Sequence, residues 1–346
     1  MKALVLKEIG RLEYCDVPMP CPKPNEVLLK VMAAGICGSD ISRIFKKGTY
    51  RMPMIPGHEF AGEIVEVGNA IDKDLLGRRA SVFPLRPCMK CAACMSGEYA
   101  VCENYSYYGS RCDGGFAEYV AIDAQNLVLL QDNVTFLEGA MSEPATVALH
   151  ALRRGLISVG DTVGIAGAGP IGLMLASWAN ICGAATVVLW DIDKTKVAFG
   201  RSLGFNVIDP SDSDVVDSVS CLTSGRMLDL TVEGAGVSQT LAQCLSVTKA
   251  EGRVVAMGNP ACDMRLSQND YWNILRKQLT VMGTWNSDHA VFHRDEWSLT
   301  SQAISSGRLD VKRFITHKFE LSAGMAPFNM MRDKSEFYNK VMYLIH

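Results

Sequence analysis

The opening stretch "MKALVLKEIGRLEY" alternates apolar and polar positions with a period of two, the mark of a half-buried strand. The texture recurs in "EVLLKVMAAG", "EFAGEIVEVG" and "FAEYVAI", short runs punctuated by Gly and Pro, so the chain up to about residue 150 reads as β-rich. From about 161 to 285 the pattern changes. "DTVGIAG" leads into the helical stretch "PIGLMLASWANICGA", "TVVLW" into "KTKVAFGRSLG", "NVI" into a polar helix, and "LDLTVEGAG" into "SQTLAQCLSVT". "GRVVAMG" and "LTVMGTW" supply two more apolar strands. Apolar runs separated by helices are what a parallel sheet covered on both faces requires. Six such runs predict a doubly wound α/β domain. The last segment, 286–346, is mixed and too short to bury a core alone. The expected organisation is a catalytic domain 1–150 completed by 286–346, and a dinucleotide-binding domain 151–285.

Composition adds exclusions. A chain of 346 residues suits two domains. With 48% hydrophobic and 21% charged residues and a net charge of −3, it lacks the basic balance that nucleic acid or an anionic membrane calls for. No apolar run reaches the length of a membrane span, and the start lacks the apolar core and cleavage site of a signal peptide. The chain is therefore expected in the reducing cytoplasm, where lasting disulfides are rare. Its twelve cysteines then point first to metal.

Four of them fall in "CMKCAACMSGEYAVC", where Cys88, Cys91, Cys94 and Cys102 have the spacing C-x2-C-x2-C-x7-C. Two-residue loops let successive thiolates converge on a tetrahedral centre, and four thiolates close its shell. A zinc held this way in a lobe spanning 86–104 is structural and cannot activate a substrate. Buried free thiols, a redox pair and an iron–sulfur cluster are the alternatives.

A second set is dispersed. Cys37 lies in "AGICGSDISRIF", His58 and Glu59 in "IPGHEFAGEIVEVG", and Glu143 in "MSEPATVALH". Singly each is weak, since a lone cysteine in an apolar segment is ordinary core. Together they offer a thiolate, an imidazole and carboxylates, which suits a catalytic zinc with an exchangeable position. Further on, Gly167, Gly169 and Gly172 form G-x-G-x-x-G between a strand and a helix. Gly167, Gly169, Pro170, Ile171 and Gly172 are the candidates to cradle a dinucleotide pyrophosphate. Asp191, nineteen residues after Gly172, can accept from both ribose hydroxyls and repel a 2′-phosphate, which favours NAD over NADP; its alternative role is a helix cap. Lys196 reaches the ribose or is a solvated helix lysine.

Taken in order, "GICGSD", "GHEFAGEIVEVG", the four-cysteine lobe, "DGGFAEY" and "AGAGPIG" resemble the zinc-dependent medium-chain dehydrogenase/reductase family over essentially the whole chain, and within it the polyol dehydrogenases. The resemblance implies an α/β fold in which a GroES-like β-rich catalytic domain accompanies a Rossmann domain. It also implies one catalytic and one structural zinc, NAD, and a homodimer or homotetramer. It places the catalytic zinc ligands at Cys37, His58, Glu59 and Glu143, with one of the two glutamates able to act through a water, and a proton-relaying hydroxyl at Ser39. The implied reaction oxidises a secondary hydroxyl of a small-molecule polyol or sugar phosphate to a ketone. Threonine, a diol, and a non-catalytic zinc- and NAD-binding role are the alternatives. One departure is Arg78 in "GRRASV", where the family usually has Asp. A substrate phosphate needs cationic or amide donors. The candidates are Arg43, Lys46, Lys47 and Arg111, each otherwise an ordinary surface charge, and the segment "TWNSDH" with Asn286 and Trp285, the latter otherwise core or interface.

Overall fold

The alternating start becomes an antiparallel hairpin, Lys2–Glu8 against Arg11–Asp16, in a computed structural model that describes residues 1–289 and 295–346. The chain divides into two units, Met1–Thr146 with Ser287–His346, and Val147–Asn286.

The first unit is built on a seven-stranded sheet. Ile315–Glu320, Lys340–Leu344, Glu26–Ile36, Glu59–Val67, Arg79–Val82 and Leu127–Leu129 follow one another across it, and Tyr119–Asp123 also pairs with Glu26–Ile36. Glu26–Ile36 is bordered by three strands and is buried at nearly every position, which explains why its alternation weakens into the continuous apolar run "AAGI". Two register shifts against Glu59–Val67 bend the pair. Val27, Leu29, Val31, Phe60 and Ile64 lie in one core with Phe116, Phe328 and Tyr343. Phe116 meets Phe328 and Tyr343 edge-on, with ring centroids 5.9 and 5.4 Å apart, a favoured aromatic geometry. The mixed segment after 286 contributes the two strands Ile315–Glu320 and Lys340–Leu344 to this sheet, with helices Glu296–Ser305 and Ala326–Asp333.

The second unit holds a six-stranded sheet, all parallel, in the spatial order Asn206–Ile208, Thr186–Trp190, Thr162–Ala166, Leu228–Glu233, Thr248–Ala256, Thr280–Gly283. The chain winds outward from Thr162–Ala166 in one direction and then from Leu228–Glu233 in the other. The reversal between these two strands is the switch point where doubly wound sheets bind ligands. Val163 and Ile165 are fully buried, as a strand covered on both faces demands. The helix Gln268–Arg276 was not among the elements read from the sequence. It buries none of its residues although it carries Tyr271, Trp272, Ile274 and Leu275, and its start is fixed by a capping box between Ser267 and Asp270. Among the described residues no helix is long and apolar enough to cross a membrane.

Candidate active site

Sheet register assembles the first donor set. Gly35 pairs with Glu59 across adjacent antiparallel strands, so Cys37, just past one strand, and His58, just before the other, emerge at the same sheet end. The donor atoms of Cys37, His58 and Glu59 all lie within 4.8 Å of one another. Cys37 caps the short helix Gly38–Ser42: its Sγ accepts from Ser39 N at 3.5 Å, and Asp40 accepts in return from Cys37 N at 3.0 Å. Asp40 is fully buried and its Oδ1 lies 3.5 Å from His58 Nδ1, which has no aligned hydrogen bond. That arrangement leaves Nε2 as the ring nitrogen for a ligand. Arg43 bonds both Ser39 Oγ, at 2.8 Å, and Asp40 Oδ1, at 3.0 Å. Burial alone would raise the Asp40 pKa, but His58, Arg43 and the Cys37 N–H hold it at about 2. Burial alone would lower the pKa of His58, yet Asp40 and Cys37 outweigh it and raise His58 well above its ordinary value. The pocket stabilises positive charge at this point, and its soft and borderline donors suit a zinc ion.

Two further groups meet this set. Lys340 is buried beside it, donating to Ile36 O at 3.1 Å and ion-paired with Glu59. Burial works against its charge, but Glu59 and Cys37 keep its pKa raised. A Cβ on Gly35 would fall 2.1 Å from Glu59 Oε2 and 3.2 Å from Lys340 Nζ, so only glycine leaves room for this pair. Glu143, in the first turn of Ser142–Arg154, lies outside the compact set of three. Its Oε1 accepts from the Tyr107 hydroxyl at 3.2 Å, and burial with the Glu59 charge pushes its pKa up to about 7 despite His58. The Tyr107 ring lies 5.8 Å from that of His58.

Tyr107 belongs to the base of the cysteine lobe, where Leu85–Arg86 pairs with Ser106–Tyr107 and closes the loop between them. Inside the loop all four thiols are free and their Sγ atoms lie within 4.8 Å of one another. Cys88 to Cys94 and Cys91 to Cys102 are each 3.9 Å. A tetrahedral site with Zn–S bonds of about 2.3 Å requires sulfurs about 3.8 Å apart, and a disulfide requires about 2.0 Å. The spacing fits a closed four-thiolate site. Cys88 N donates to Cys102 Sγ at 3.2 Å; N–H groups of Cys94 and Glu103 lower the Cys91 thiol to about 6, while burial and the neighbouring thiols push Cys94 up to about 12.

In the second unit, the glycine loop leaves the strand Thr162–Ala166 at the switch point and enters helix Pro170–Ile181. Gly167 has φ +109°, and a Cβ on Gly172 would fall 2.0 Å from Gly167 O, so both positions need glycine. A Cβ on Gly169, the helix N-cap, would meet no protein atom within 4 Å. That open face, beside the unpaired N–H groups of the helix start, fits a phosphate. Pro170 occupies the first helical position, and Ile171 follows it. Asp191 reaches back to the loop, accepting from Ala168 N at 2.9 Å and from Asp193 N at 2.9 Å. The capping alternative for Asp191 falls away, because Asp193 caps Lys194–Ser202 instead. Lys196 Nζ is 3.9 Å from an Asp191 oxygen, beyond hydrogen-bond range, with its side chain 35% exposed.

The substrate candidates are dispersed. Arg43 is committed to Ser39 and Asp40, and Arg111 packs against tyrosine rings. Trp285 is 52% exposed, which excludes plain core packing; Asn286 has φ +53° and its buried Nδ2 has no hydrogen-bond partner. Both close the unit Val147–Asn286. Sequence reading missed Asp40, Tyr107 and Lys340. Asp40 was within reach through its capping-box spacing to Cys37. The other two carry no local signal.

Residues 23–132 match the alcohol dehydrogenase GroES-like domain and residues 170–306 the zinc-binding dehydrogenase family. Galactitol 1-phosphate 5-dehydrogenase of Escherichia coli (strain K12) is 34% identical over 320 residues, 92% of each chain. L-threonine 3-dehydrogenase of Pyrococcus furiosus is also 34% identical, over 89% of this chain and 88% of its own. The crystal structure of galactitol-1-phosphate dehydrogenase from Escherichia coli superposes with a TM-score of 0.92 at 32% identity, covering 99% of this chain and 100% of that one. The chain belongs to the medium-chain zinc-dependent alcohol and polyol dehydrogenases, oxidoreductases that act on CH–OH groups.

Proposed function

We propose that this chain oxidises a secondary hydroxyl of a polyol phosphate to a ketone, using zinc and NAD, with galactitol 1-phosphate converted to tagatose 6-phosphate. The observation that carries the reading is the meeting of Cys37, His58 and Glu59 within 4.8 Å, with Glu143 near the same histidine. Zinc, when bound there, supplies Lewis acidity toward the substrate hydroxyl, and the nicotinamide supplies a two-electron acceptor. The protein's own groups do the rest. Cys37, His58 and one of the two glutamates hold the metal, and the buried Asp40 carboxylate faces His58 Nδ1 at 3.5 Å, which leaves Nε2 to the metal. Glu143, with its raised pKa and its tyrosine partner, is the carboxylate free to exchange. Ser39 Oγ accepts from Arg43 and keeps a lone pair to take the hydroxyl proton while releasing its own toward solvent. The substrate gives up a proton and a hydride and leaves as a ketone.

The loop from Gly167 to Gly172 holds the pyrophosphate and Asp191 the ribose. Replacing Asp191 with alanine removes the charge that repels a 2′-phosphate. The ratio of kcat/KM for NAD over NADP is expected to fall by about 10- to 100-fold in steady-state assays. We place the enzyme in the cytoplasm, as a homodimer or homotetramer; none of its twelve cysteines is bridged by a disulfide, which suits a reducing compartment. The sheet edge Thr280–Gly283, with exposed Val281 and no strand beyond it among the described residues, supports pairing with a second copy.

Equal identity to a threonine enzyme and a galactitol phosphate enzyme leaves the substrate to experiment. A panel of polyols, polyol phosphates, threonine and diols, read by NADH absorbance, tests the proposal. Galactitol 1-phosphate is expected to have the highest kcat/KM. Preference for threonine, or for a free polyol over its phosphate, overturns the reading.

A further inference from the structure

Arg111 differs from Arg43, Arg51 and Arg86 in having no counter-charge among the described residues. Arg43 faces Asp40 at 3.0 Å, Arg51 faces Asp113 at 3.0 Å and Arg86 faces Asp123 at 3.9 Å. Arg111 is half-buried, and among the described residues no carboxylate oxygen lies within 4.0 Å of its guanidinium. It is not a loose surface side chain. Its guanidinium carbon lies 4.2 Å from the ring centroid of Tyr50 and 4.3 Å from that of Tyr105. Nη1 donates to Tyr105 O at 3.1 Å and Nη2 to the Tyr50 hydroxyl at 3.3 Å. The backbone is fixed as well: Arg111 N donates to Tyr107 O at 2.9 Å, and Tyr50 N to Ser110 O at 3.3 Å.

The same turn leads to the chemistry. Tyr105 lies edge-on to Tyr107, with ring centroids 6.3 Å apart, and Tyr107 contacts both His58 and Glu143. A guanidinium has five N–H donors, so most of its fork is left for another partner. Ring packing and two hydrogen bonds lower the rotamer freedom that binding would otherwise cost, although Tyr50 is itself 74% exposed. A fixed planar cation with spare donors matches two oxygens of a phosphate monoester.

We propose that Arg111, clamped by Tyr50 and Tyr105, binds the substrate phosphate and sets the preference for a polyol phosphate over the free polyol. The inference rests on the function proposed above and adds the residue responsible. The test compares kcat/KM for galactitol 1-phosphate and galactitol in the wild type, Arg111→Met and Arg111→Lys, each checked for zinc content and thermal midpoint. Loss of a charge-assisted bidentate contact is expected to lower the phosphorylated-to-free ratio by about 10- to 100-fold in R111M, mainly through KM for the phosphate ester. Lysine should restore only a minor part, because a compact ammonium lacks the planar fork. If R111M fails to fold, R111K decides, with a ratio reduced by about tenfold expected and an unchanged ratio contrary. A wild type that prefers the phosphate and an R111M that keeps this preference would overturn the role of Arg111 and leave the proposed function standing. A wild type indifferent to the phosphate would overturn both.

Discussion

Cys37→Ser is expected to lower kcat by at least about a thousandfold and to reduce bound zinc from two ions per chain, one for each donor cluster, to one. Lewis-acid assistance contributes several kcal/mol to such a reaction, and a serine hydroxyl is a poor zinc donor at neutral pH. The fold should survive. Cys37 already acts as the cap of Gly38–Ser42, and serine is a preferred cap residue whose oxygen can accept the same backbone N–H. The four thiols of the lobe lie elsewhere in the unit and should keep their metal. Kinetics, metal analysis and a thermal scan on one preparation check all three points. Turnover near the wild-type rate would mean that Cys37 holds nothing the reaction needs.

The second large effect is on stability. In the metal-free protein, Lys340→Met should cost about 3–5 kcal/mol of stability, because it leaves Glu59 buried without its partner. The side chains of both residues are almost fully buried, at 3% and 2% exposure, so water cannot replace the lost charge. Adding Glu59→Gln removes the stranded carboxylate and should recover much of the loss, since replacing both members of a buried pair is far milder than removing one. Urea unfolding of the wild type, the two single variants and the double variant measures the coupling. A loss below about 1 kcal/mol in Lys340→Met would show that the pair is not a buried ion pair in solution.

The parallel sheet was the most legible part of the sequence. Its strands are buried on both faces, so "TVGIA" and "TVVLW" carry no polar residue after the first, and the glycine loop sits between a strand and a helix with no room for a Cβ on Gly172. The thiols in 88–102 were legible because the spacing itself dictates convergence. Partnerships set by sheet register were not. Lys340 lies 281 residues from Glu59, and its place follows only from the antiparallel pairing of Lys340–Leu344 with Glu26–Ile36. Tyr107 reaches His58 because two short strands close the cysteine lobe beneath it, and no periodicity marks a two-residue strand. Arg43 looked like a free surface base, and only three dimensions commit it to Ser39 and Asp40. The helix Gln268–Arg276 went unread because its nine residues, Tyr271, Trp272, Ile274 and Leu275 among them, are too few to fix a helical period.

The proposed chemistry requires a metal with an open position on Cys37, His58 and a neighbouring acid. Anomalous diffraction collected above and below the zinc edge tests it without reference to any substrate. Two peaks per chain are expected, one enclosed by Cys88, Cys91, Cys94 and Cys102, the other bonded to Cys37 Sγ, His58 Nε2 and an oxygen of Glu59 or Glu143. A single peak at the four thiols, in zinc-replete protein that turns over substrate, would contradict it.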